Sequence, residues 1–233
     1  MSKPNKIVIL TGAGISAESG IQTFRDAGGL WENHPVEQVA TPEGFAADPV
    51  LVHRFYNLRR AALSEVKPNA AHMALAELQK RFSGEVIVVT QNVDDLHERG
   101  GSKDVIHMHG ELLSAFCSAC NHRWRQETDL TVETKCPACQ TPGGPRPDIV
   151  WFGEMPYQMD RIERALQSCD LFVSIGTSGA VYPAAGFVQL AHMHGAQTLE
   201  LNLEPSQGSA FFTETRYGPA TRLVPEWTQS LLS

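Results

Sequence analysis

The sequence has no long apolar segment and no excess of positive charge. Nowhere do the roughly 18 apolar residues that a transmembrane helix needs follow one another, so no membrane span and no membrane partner are expected. Lys and Arg number 19 against 26 Asp and Glu, a formal net charge of −7. This balance argues against nucleic acid as the main partner and favours basic partners, such as lysine-bearing proteins.

An export signal and a disulfide framework are also lacking. The N-terminal residues lead directly into a strand-like run, without the longer apolar stretch and small-residue cleavage site of a signal peptide. The five cysteines are an odd number, and four of them form two C-x-x-C pairs, which favours a metal site over disulfides. We therefore expect a cytoplasmic protein. Its length predicts one large domain or two closely associated ones.

Short apolar runs alternate with helical patterns along most of the chain. Strands are expected at 7–10, 86–90, 105–109, 171–175 and 197–203, with a last short one at 222–224. Helices are expected at 49–64, 69–82, 159–168 and 183–193. Because such alternation builds an open parallel sheet with helices on both faces, the predicted fold class is α/β with a Rossmann-like sheet.

Two segments do not fit this alternation and are interpreted as insertions. Residues 26–80 contain helices but no expected strand, and the four paired cysteines lie among many turn-forming residues. We predict a Rossmann-type domain from 1–30, 81–112 and 145–233, and a small domain from the helical insertion 31–80 and the ribbon 113–144. The cleft between the two is the natural place for a site, and the whole chain would be one catalytic unit.

A glycine motif follows the first expected strand. Gly12, Gly14 and Ala17 have the spacing of a dinucleotide-binding turn, in which the backbone approaches a pyrophosphate and a helix N-terminus offers N–H groups. A plain glycine-rich turn is the alternative. The acidic residue that usually follows about 20 residues later is missing, so a dinucleotide would be held in a variant way.

Polar residues follow the carboxyl ends of other strands, where an open α/β sheet has its ligand crevice. The segment 90–97 holds amides and carboxylates that suit ribose hydroxyls or a carboxamide, although Asn92 or Asp94 could simply cap the next helix. The segment 176–178, Gly-Thr-Ser, and Asn202 add hydroxyl and amide groups at the same edge.

Two histidines, His107 and His109, end the third expected strand. Period-2 alternation would put both on one face with Val105. Histidine is the natural general base near neutral pH, so this pair is a candidate for acid–base chemistry. The alternative is that they are ordinary core or surface histidines.

The paired cysteines have the spacing of a zinc ribbon, C-x2-C-x15-C-x2-C. They are Cys117, Cys120, Cys136 and Cys139. Four thiolates suit a closed tetrahedral zinc site, which leaves no open position for a substrate, so one structural Zn²⁺ per chain is predicted. The fifth cysteine, Cys169, precedes a strand in an apolar context and is expected in the core.

The segment 146–154, RPDIVWFGE, has an apolar centre typical of a strand and a Gly-Glu end typical of an exposed edge. An exposed edge could pair with an extended peptide by strand addition. The alternative is a simple buried strand with Trp151 in the core.

The helix expected from residue 49 carries a pair of chemical interest. Asp48 and Pro49 are a good helix start. The expected core stripe is Leu51, Phe55, Leu58 and Ala62, and the expected polar face is His53, Asn57, Arg60 and Ser64. Tyr56 and Arg59 lie between the two and are neighbours. Arg59 could snorkel from an apolar flank; alternatively, both side chains point into the cleft and bind a carboxylate.

Together these motifs resemble the sirtuin family. The resemblance rests on GAGISAESGIQTFR (12–25), TQNVDDLHERGG (90–101), HMHG (107–110), the four cysteines, RPDIVWFGE (146–154), GTS (176–178) and LNLEP (201–205). These segments follow the family's order and cover most of the chain. The segments 40–49 and 178–187 are similar to the bacterial CobB-type members, which are related to the class III deacylases.

The resemblance implies an NAD-dependent protein-lysine deacylase that acts on acyl-lysine proteins or peptides. The acyl oxygen would attack C1′ of the nicotinamide ribose as nicotinamide leaves, and His109 would then act as base toward a ribose hydroxyl. The products would be free lysine, nicotinamide and O-acyl-ADP-ribose. Two other classes stay open: protein mono-ADP-ribosyl transfer at the same NAD site, and a non-catalytic module that binds NAD or peptide.

The resemblance also assigns roles to residues. His109 and Asn92 would be catalytic. Gly153 and Glu154 would bind the substrate backbone, and Tyr56 and Arg59 the acyl group. NAD would be bound by Gly12, Ala13, Gly14, Ala17, Phe24, Arg25, Trp31, Gln91, Asn92, Val93, Asp94, Gly176, Thr177, Ser178, Asn202, Leu203, Glu204 and Ala220. Because Tyr56 and Arg59 suit an acidic acyl group, and because the small Ala40 matches a position that widens the acyl pocket, we expect desuccinylation beside deacetylation.

Overall fold

The apolar run near the start of the chain forms the centre of a parallel sheet. In the computed structural model, which describes residues 3–22, 30–31 and 34–233, this sheet has six strands. They are β1 (Lys6–Thr11), β4 (Glu85–Thr90), β5 (Ile106–His107), β9 (Leu171–Ile175), β10 (Gln197–Asn202) and β11 (Glu214–Tyr217). Their order is β11-β10-β9-β1-β4-β5, and all neighbours are parallel. The predicted Rossmann-like α/β fold is confirmed.

Both faces of this sheet are buried, because β1 is apolar at successive positions rather than at alternate ones. Ile7 and Ile9 pack on one face in a cluster with α5 (Ala70–Arg81) and α9 (Ala220–Leu232). Val8 and Leu10 pack on the other in a cluster with α7 (Met159–Ser168) and α8 (Phe187–Met193). Each such side chain removed from water contributes about 1.5–3 kcal/mol, so these two apolar layers hold the sheet between its helices.

The C-terminal part of the chain differs from the expectation. The segment 222–224 is not a strand; it lies inside α9, where Leu223, Val224 and Trp227 recur at helical spacing and pack on the sheet. The last strand is β11, whose sequence ETRY has no apolar run that could have indicated it. The helix expected at 183–193 begins as a 3-10 turn, Ala184–Gly186, before α8.

Two further strand expectations were wrong. The strand expected at 105–109 ends at His107, since Met108 and His109 form a turn. Period-2 alternation therefore does not extend to His109. Within 26–80, where no strand was expected, β2 (Leu30–Trp31) and β3 (His34–Pro35) pair as a short antiparallel hairpin.

A second, antiparallel sheet carries the cysteine-rich segment. β6 (Gly110–Cys117) pairs with β7 (Arg123–Arg125) and with β8 (Pro145–Ile149). β8 is buried along its whole length and Trp151 is 2% exposed, whereas Phe152 is 51% exposed and Gly153 is also exposed. The run is therefore a buried strand at the edge of its sheet, followed by an exposed segment at Gly153. The predicted boundary placed 145–149 in the Rossmann-type domain, whereas the structure pairs it with the cysteine-bearing strand.

The helical insertion packs against this second sheet. It comprises α2 (Val36–Val39), α3 (Pro42–Ala47) and α4 (Pro49–Leu63). Its buried side chains form one apolar cluster with Leu112, Ile149 and Trp151. Asp48 caps α4 by accepting the Leu51 N–H at 2.9 Å, as the sequence predicts. Within the described ranges, no helix is long and apolar enough to cross a membrane.

The buried face of α4 is not the expected one. Leu58 and Ala62, expected in the core, are exposed, whereas His53 and Arg60, expected on the polar face, are buried. The core stripe consists of Val52, Phe55, Tyr56 and Leu63. Arg60 can lie inside because its Nε donates to Leu112 O at 3.2 Å, a partner that the helix sequence does not reveal.

Asn57 fastens α4 to the cysteine-rich segment. Its Nδ2 donates to Leu130 O at 2.8 Å, and its Oδ1 accepts from the Leu130 N–H at 3.0 Å and from Arg60 Nη1 at 2.8 Å. Leu130 is only 1% exposed, so its backbone groups rely on Asn57 for hydrogen bonds. This contact couples the helical insertion to the ribbon.

Replacing Asn57 with Ala is expected to destabilise the protein. The Leu130 backbone groups and Arg60 Nη1 would lose their partner, at a cost of about 1–3 kcal/mol for a buried group left unsatisfied. Urea unfolding followed by circular dichroism measures the free energy of unfolding. Ser64→Ala is the control, because that hydroxyl bonds only at the exposed end of α4. Equal stability of the two variants would contradict the role of Asn57.

Candidate active site

The predicted site residues gather at one edge of the parallel sheet. Gly12 follows β1, Gln91 follows β4, Gly176 follows β9 and Leu203 follows β10, so all lie at carboxyl ends of strands. The order of strands reverses at β1, which has β4 on one side and β9 on the other. Open α/β sheets bind ligands in the crevice at such a reversal.

The glycines after β1 bring two loops into contact. The Gly12 N–H donates to Ile175 O at 3.0 Å, and the Gly14 N–H donates to Gly176 O at 2.9 Å. A Cβ on Gly14 would lie 2.7 Å from Gly176 Cα, and Gly176 itself has a φ of +63°, so both positions exclude side chains. Close backbone approach does explain these glycines, and the approaching group is the loop after β9.

The helix that follows the glycine turn is a single turn. α1 spans only Gly14–Ala17, and its first N–H groups bond within the turn: Ile15 N–H to Gly12 O at 3.2 Å and Ser16 N–H to Ala13 O at 3.1 Å. These two N–H groups, and that of Gly14, are therefore engaged within the protein, and the binding of a pyrophosphate by this turn stays a prediction. Ala13 is half-buried and Ala17 is exposed on the same turn.

Behind the glycine turn, four polar side chains form a buried network. Ser16 Oγ donates to Asp94 Oδ2 at 3.1 Å and accepts from Asn92 Nδ2 at 3.2 Å. His72 Nε2 lies 3.3 Å from the same Ser16 Oγ. Because His72 Nδ1 accepts the N–H of the residue that caps α5, its Nε2 carries the proton and donates to Ser16. Every bond of the network thus has a defined direction.

This network places two predicted NAD-binding residues side by side. Burial raises the pKa of Asp94, although hydrogen bonds from the Leu96 N–H and Ser16 oppose that shift. Asp94 Oδ1 accepts the Leu96 N–H at 3.1 Å at the start of α6 (Leu96–Arg99), so Asp94 also has the capping role that was the alternative. Sequence reasoning missed Ser16 and His72; the Asn-x-x-His capping box at the start of α5 was the available signal for His72.

His109 stands in the turn between β5 and β6 with a defined tautomer. Its Nδ1 lies 3.1 Å from Gln91 O, and because a carbonyl only accepts, Nδ1 carries the proton and Nε2 the lone pair. Burial lowers the pKa of His109, against the opposing effect of the bond to Gln91, so the imidazole is neutral near pH 7. A neutral imidazole with a lone pair on Nε2 is the form that a general base requires.

The turn that carries His109 packs closely against β8, and this packing holds His109 in place. Gly110 has a φ of +82°, and a Cβ there would lie 2.0 Å from Asp148 O, so only glycine fits. His109 O accepts the Val150 N–H at 2.9 Å. The predicted base is therefore bound on both sides, to the loop after β4 and to the segment after β8.

Trp151, the residue after Val150, links this turn to α4. Its Nε1 donates to the Tyr56 hydroxyl at 2.9 Å, and both side chains are buried. Since an indole N–H only donates, the Tyr56 hydroxyl accepts in this bond and its own proton points away from Trp151. Burial raises the pKa of Tyr56, so the phenol is neutral. Sequence reasoning considered Trp151 only as a core residue.

Other parts of the predicted acyl site lie in the same region. Ala40 is 3% exposed and belongs to one apolar cluster with Tyr56 and Trp151. Arg59 is half-buried on α4, with its guanidinium carbon 5.7 Å from the centre of the Phe55 ring. A small residue, a neutral phenol and a cation therefore occur on neighbouring elements.

The predicted backbone-binding residues follow Trp151. Gly153 is exposed, with a φ of +89° and no atom within 4 Å of the place where a Cβ would stand. Glu154 Oε2 accepts from the Trp151 N–H and from Arg146 Nη2, both at 2.8 Å. Glu154 thus stabilises the loop by hydrogen bonds within it. Gly153 faces solvent.

The residues predicted for the adenosine end lie beyond β9 and β10. Asn202 Nδ2 donates to Thr177 O at 2.8 Å, and Ser178 Oγ accepts from the Ala180 N–H at 3.2 Å. Leu203 and Glu204 are exposed. Ala220 is half-buried as the first residue of α9. These groups line the same edge as the glycine turns.

Three of the remaining predicted NAD-binding residues are described in part or not at all. Phe24 and Arg25 lie outside the described residues, and for Trp31 the structure describes the backbone of β2. Val93 O accepts the Leu112 N–H at 2.8 Å, so the loop after β4 is also tied to β6.

The four predicted metal ligands form one cluster. The Sγ atoms of Cys117, Cys120, Cys136 and Cys139 all lie within 4.8 Å of one another. The Cys117–Cys139 and Cys120–Cys136 sulfur pairs are 3.7 and 3.6 Å apart. Thiolates at about 2.3 Å from a tetrahedral zinc are about 3.8 Å apart, whereas a disulfide needs about 2.05 Å, so the cluster fits a metal ion. Cys169 is buried in the core, as expected.

Comparison with known proteins gives consistent results. The sequence pattern of the Sir2 family matches residues 12–183. An NAD-dependent protein deacylase of Pasteurella multocida (strain Pm70) is 58% identical over 234 residues, which cover 100% of both chains. An NAD-dependent protein deacylase of Escherichia coli (strain K12) is also 58% identical, over 100% of this chain and 84% of its own length.

Solved structures are similar over nearly the whole chain. A Sir2 homologue in complex with NAD superposes with a TM-score of 0.90 at 36% identity, covering 99% of this chain and 92% of that one. A Sir2 protein bound to an acetylated peptide superposes with a TM-score of 0.84 at 28% identity, covering 99% and 95%.

Proposed function

The chain belongs to the Sir2 family, and on that premise we propose that it is an NAD-dependent deacylase of protein lysine residues. The names of relatives at 58% identity support this function. The observation that carries it is the state of His109, a neutral imidazole beside the Asn92–Asp94 network. Its Nδ1–H is bound to Gln91 O, and its Nε2 lone pair has no hydrogen-bond partner among the described residues.

The crevice fits NAD by its chemistry. Close packing at Gly14 and Gly176 leaves backbone, not side chains, where a dinucleotide would cross the sheet edge. Gln91, Asn92 and Asp94 would hold the nicotinamide riboside half, and Thr177, Ser178, Asn202 and Ala220 the adenosine half. When bound, NAD supplies a glycosidic bond whose cleavage activates the acyl amide, which is otherwise a poor electrophile with a weakly nucleophilic oxygen.

The chain itself supplies positioning and one proton acceptor. His109 Nε2 takes the proton of a ribose hydroxyl, while the Nδ1–H bond to Gln91 keeps the ring in the tautomer that can do so. Asn92 and Asp94 are oriented by Ser16, so the acceptor positions of the Asn92 Oδ1 and of the Asp94 carboxylate are set before a ligand binds. Such preorganisation reduces the cost of ordering the site.

Replacing His109 with Gln is expected to reduce deacylation by about 10²–10⁴-fold, the usual contribution of a general base, and to leave the fold intact. The measurement is mass spectrometry of an acetyl-lysine peptide incubated with NAD. His194→Gln is the matched control, because His194 Nδ1 also faces a carbonyl, Leu190 O at 2.9 Å, but lies on the surface.

The wild-type rate should also fall as the pH drops through the pKa of His109. Because burial lowers that pKa below its ordinary value of 6.5, activity persists through neutral pH and is lost only in acid. A folded His109→Gln protein with the wild-type rate would contradict the role of His109 as base.

We further propose that the cysteine cluster binds one structural zinc ion per chain. All four thiolates would be ligands, so no open position is left for chemistry. The ion would join the end of β6 at Cys117 to the loop that carries Leu130, which Asn57 holds against α4.

Replacing Cys117 with Ser should remove zinc and lower the thermal stability, because the free energy of binding a structural metal is folding free energy. Metal analysis and thermal unfolding are the measurements. Cys169→Ala is the control, since this buried cysteine lies outside the cluster and its variant should keep the metal. Wild-type protein that carries no zinc after purification without chelators would overturn the proposal.

We also propose that the enzyme removes acidic acyl groups, such as succinyl, besides acetyl. Support comes from three residues on neighbouring elements: the small Ala40, the neutral Tyr56 hydroxyl and the Arg59 cation. Because the Tyr56 oxygen accepts the Trp151 N–H, the Tyr56 O–H can donate to an acceptor on the acyl group. The Arg59 guanidinium can form charge-assisted hydrogen bonds with a carboxylate. Succinyl-lysine carries such a carboxylate at its far end, whereas acetyl-lysine does not.

Replacing Arg59 with Met is expected to lower kcat/KM for a succinyl-lysine peptide by about 10–100-fold, since a hydrogen bond to a charged group is worth about 1.5–3 kcal/mol. Deacetylation of the matching acetyl peptide should be retained. Arg54→Met, an exposed position on the same helix, is the control. Equal losses on both peptides would show that Arg59 has a structural role only.

A further inference from the structure

The site contains a second histidine that the mechanism above does not use. His107 ends β5, is 8% exposed and lies two residues before His109. Its Nδ1 is 3.2 Å from Asn92 O, and its Nε2 is 2.9 Å from Glu98 Oε1. His107 therefore stands between a loop predicted to bind NAD and a carboxylate on α6.

Both nitrogens of His107 face oxygens that accept hydrogen bonds. A neutral imidazole carries one N–H and can bond to only one of these oxygens. An imidazolium carries two and can bond to both, and its bond to the Glu98 carboxylate is charge-assisted. The geometry is thus that of a protonated histidine.

We propose that His107, protonated and paired with Glu98, is a positioning residue that holds the main chain of Asn92 in place for NAD binding. This proposal rests on the NAD-dependent function proposed above. Asn92 is also held by its own N–H, which donates to Thr90 Oγ1 at 3.0 Å, and by its Nδ2, which donates to Gly12 O at 3.1 Å. Of these three contacts, the one from His107 has an ionisable donor.

The charged surroundings favour the protonated ring. A cavity of about 260 Å³ borders His107, and the titratable or charged groups that line it with His107 are Asp94, Asp95, Glu98, Glu111, Arg99 and Arg125. Both arginines are paired with carboxylates, Arg99 with Asp95 and Arg125 with Glu127. His97 on α6 is buried and uncharged near pH 7, since burial lowers its pKa to about 3. Burial opposes protonation of His107, but the bond to Glu98 and the charges of Glu98 and Glu111 outweigh it and raise its pKa above the ordinary value.

The two histidines then limit the pH range of activity, His109 at the acid end and His107 at the alkaline end. His109 must be neutral to accept a proton, so activity falls as the pH drops through its lowered pKa. When the His107 ring loses one proton, the remaining N–H stays on Nε2, because the Glu98 carboxylate is a stronger acceptor than the Asn92 carbonyl. The bond to Asn92 O is then lost, so NAD binding weakens as the pH rises through the raised pKa of His107. The working range lies between these two values.

The decisive variant is Glu98→Gln, which keeps an acceptor oxygen for His107 Nε2 and removes the negative charge. NMR of protein with labelled histidine should show the pKa of His107 falling by about one pH unit or more. Calorimetry with NAD should show Kd starting to rise at a correspondingly lower pH. The alkaline limb of kcat/KM should move by the same amount, while the acid limb stays in place.

Two further variants separate positioning from general stability. Glu77→Gln is the matched control: its carboxylate pairs with Arg81 at i,i+4 on the exposed side of α5, so neither the titration of His107 nor the Kd for NAD should change. His107→Gln replaces the titrating donor with a neutral amide. Its Kd for NAD should rise about tenfold, and no longer change between neutral and alkaline pH.

Several results would overturn the proposal. One is a pKa for His107 that does not respond to Glu98→Gln; another is a pKa that moves while the Kd for NAD does not follow. If Glu98→Gln does not fold, the wild type still provides a test, because a measured His107 pKa below 6.5 contradicts the positioning role. These readouts need no deacylation. Protein that binds NAD with this pH dependence but deacylates no lysine peptide would overturn the proposed function alone.

Discussion

The hydrogen bonds of Ser16 with Asn92 and Asp94 join the two loops at the centre of the sheet, those after β1 and β4. These loops leave neighbouring parallel strands, so they emerge side by side, but parallel pairing alone does not set the orientation of their side chains. The Ser16 bonds set it, and Gly14 and Gly176 let the loop after β9 close against the same turn. The position of Gln91, whose carbonyl determines the tautomer of His109, follows from this arrangement.

The second sheet connects the loops of the proposed NAD site to the residues proposed to bind the acyl substrate. The turn that carries His109 bonds to Val150, and the next residue, Trp151, bonds to Tyr56 on α4. The same helix is tied to the cysteine-rich ribbon through Asn57. The proposed base, acyl pocket and zinc site are thus connected by short hydrogen-bonded contacts. A disturbance of the ribbon can therefore reach the acyl pocket without any direct contact with NAD.

The histidines near the site differ in charge because their partners differ. Burial lowers the pKa of His72 to about 4 and that of His97 to about 3, which keeps both rings neutral and leaves each with one N–H to donate. His109 is neutral for the same reason. His107 is also buried but faces Glu98, and its pKa is raised. A local sequence with two histidines two residues apart does not distinguish these states; the carboxylate on α6 does.

The sequence by itself determined the class of the fold, the cluster of four cysteines and the edge at which the proposed site lies. Apolar runs such as Ile7–Leu10 are buried on both faces in any parallel sheet, the C-x-x-C spacing brings thiolates together locally, and residues after parallel strands share one edge whatever the remaining packing. Only the tertiary structure decided which face of α4 is buried, that 222–224 is helical, and that Trp151 and Ser16 bond to predicted site residues. Each of these outcomes depends on a partner far away in the chain, such as Tyr56 for Trp151 at a separation of 95 residues or Asp94 for Ser16 at 78. Local propensity and periodicity carry no information about a partner at that distance, because the free energy that selects it arises only when the chain has closed around both groups.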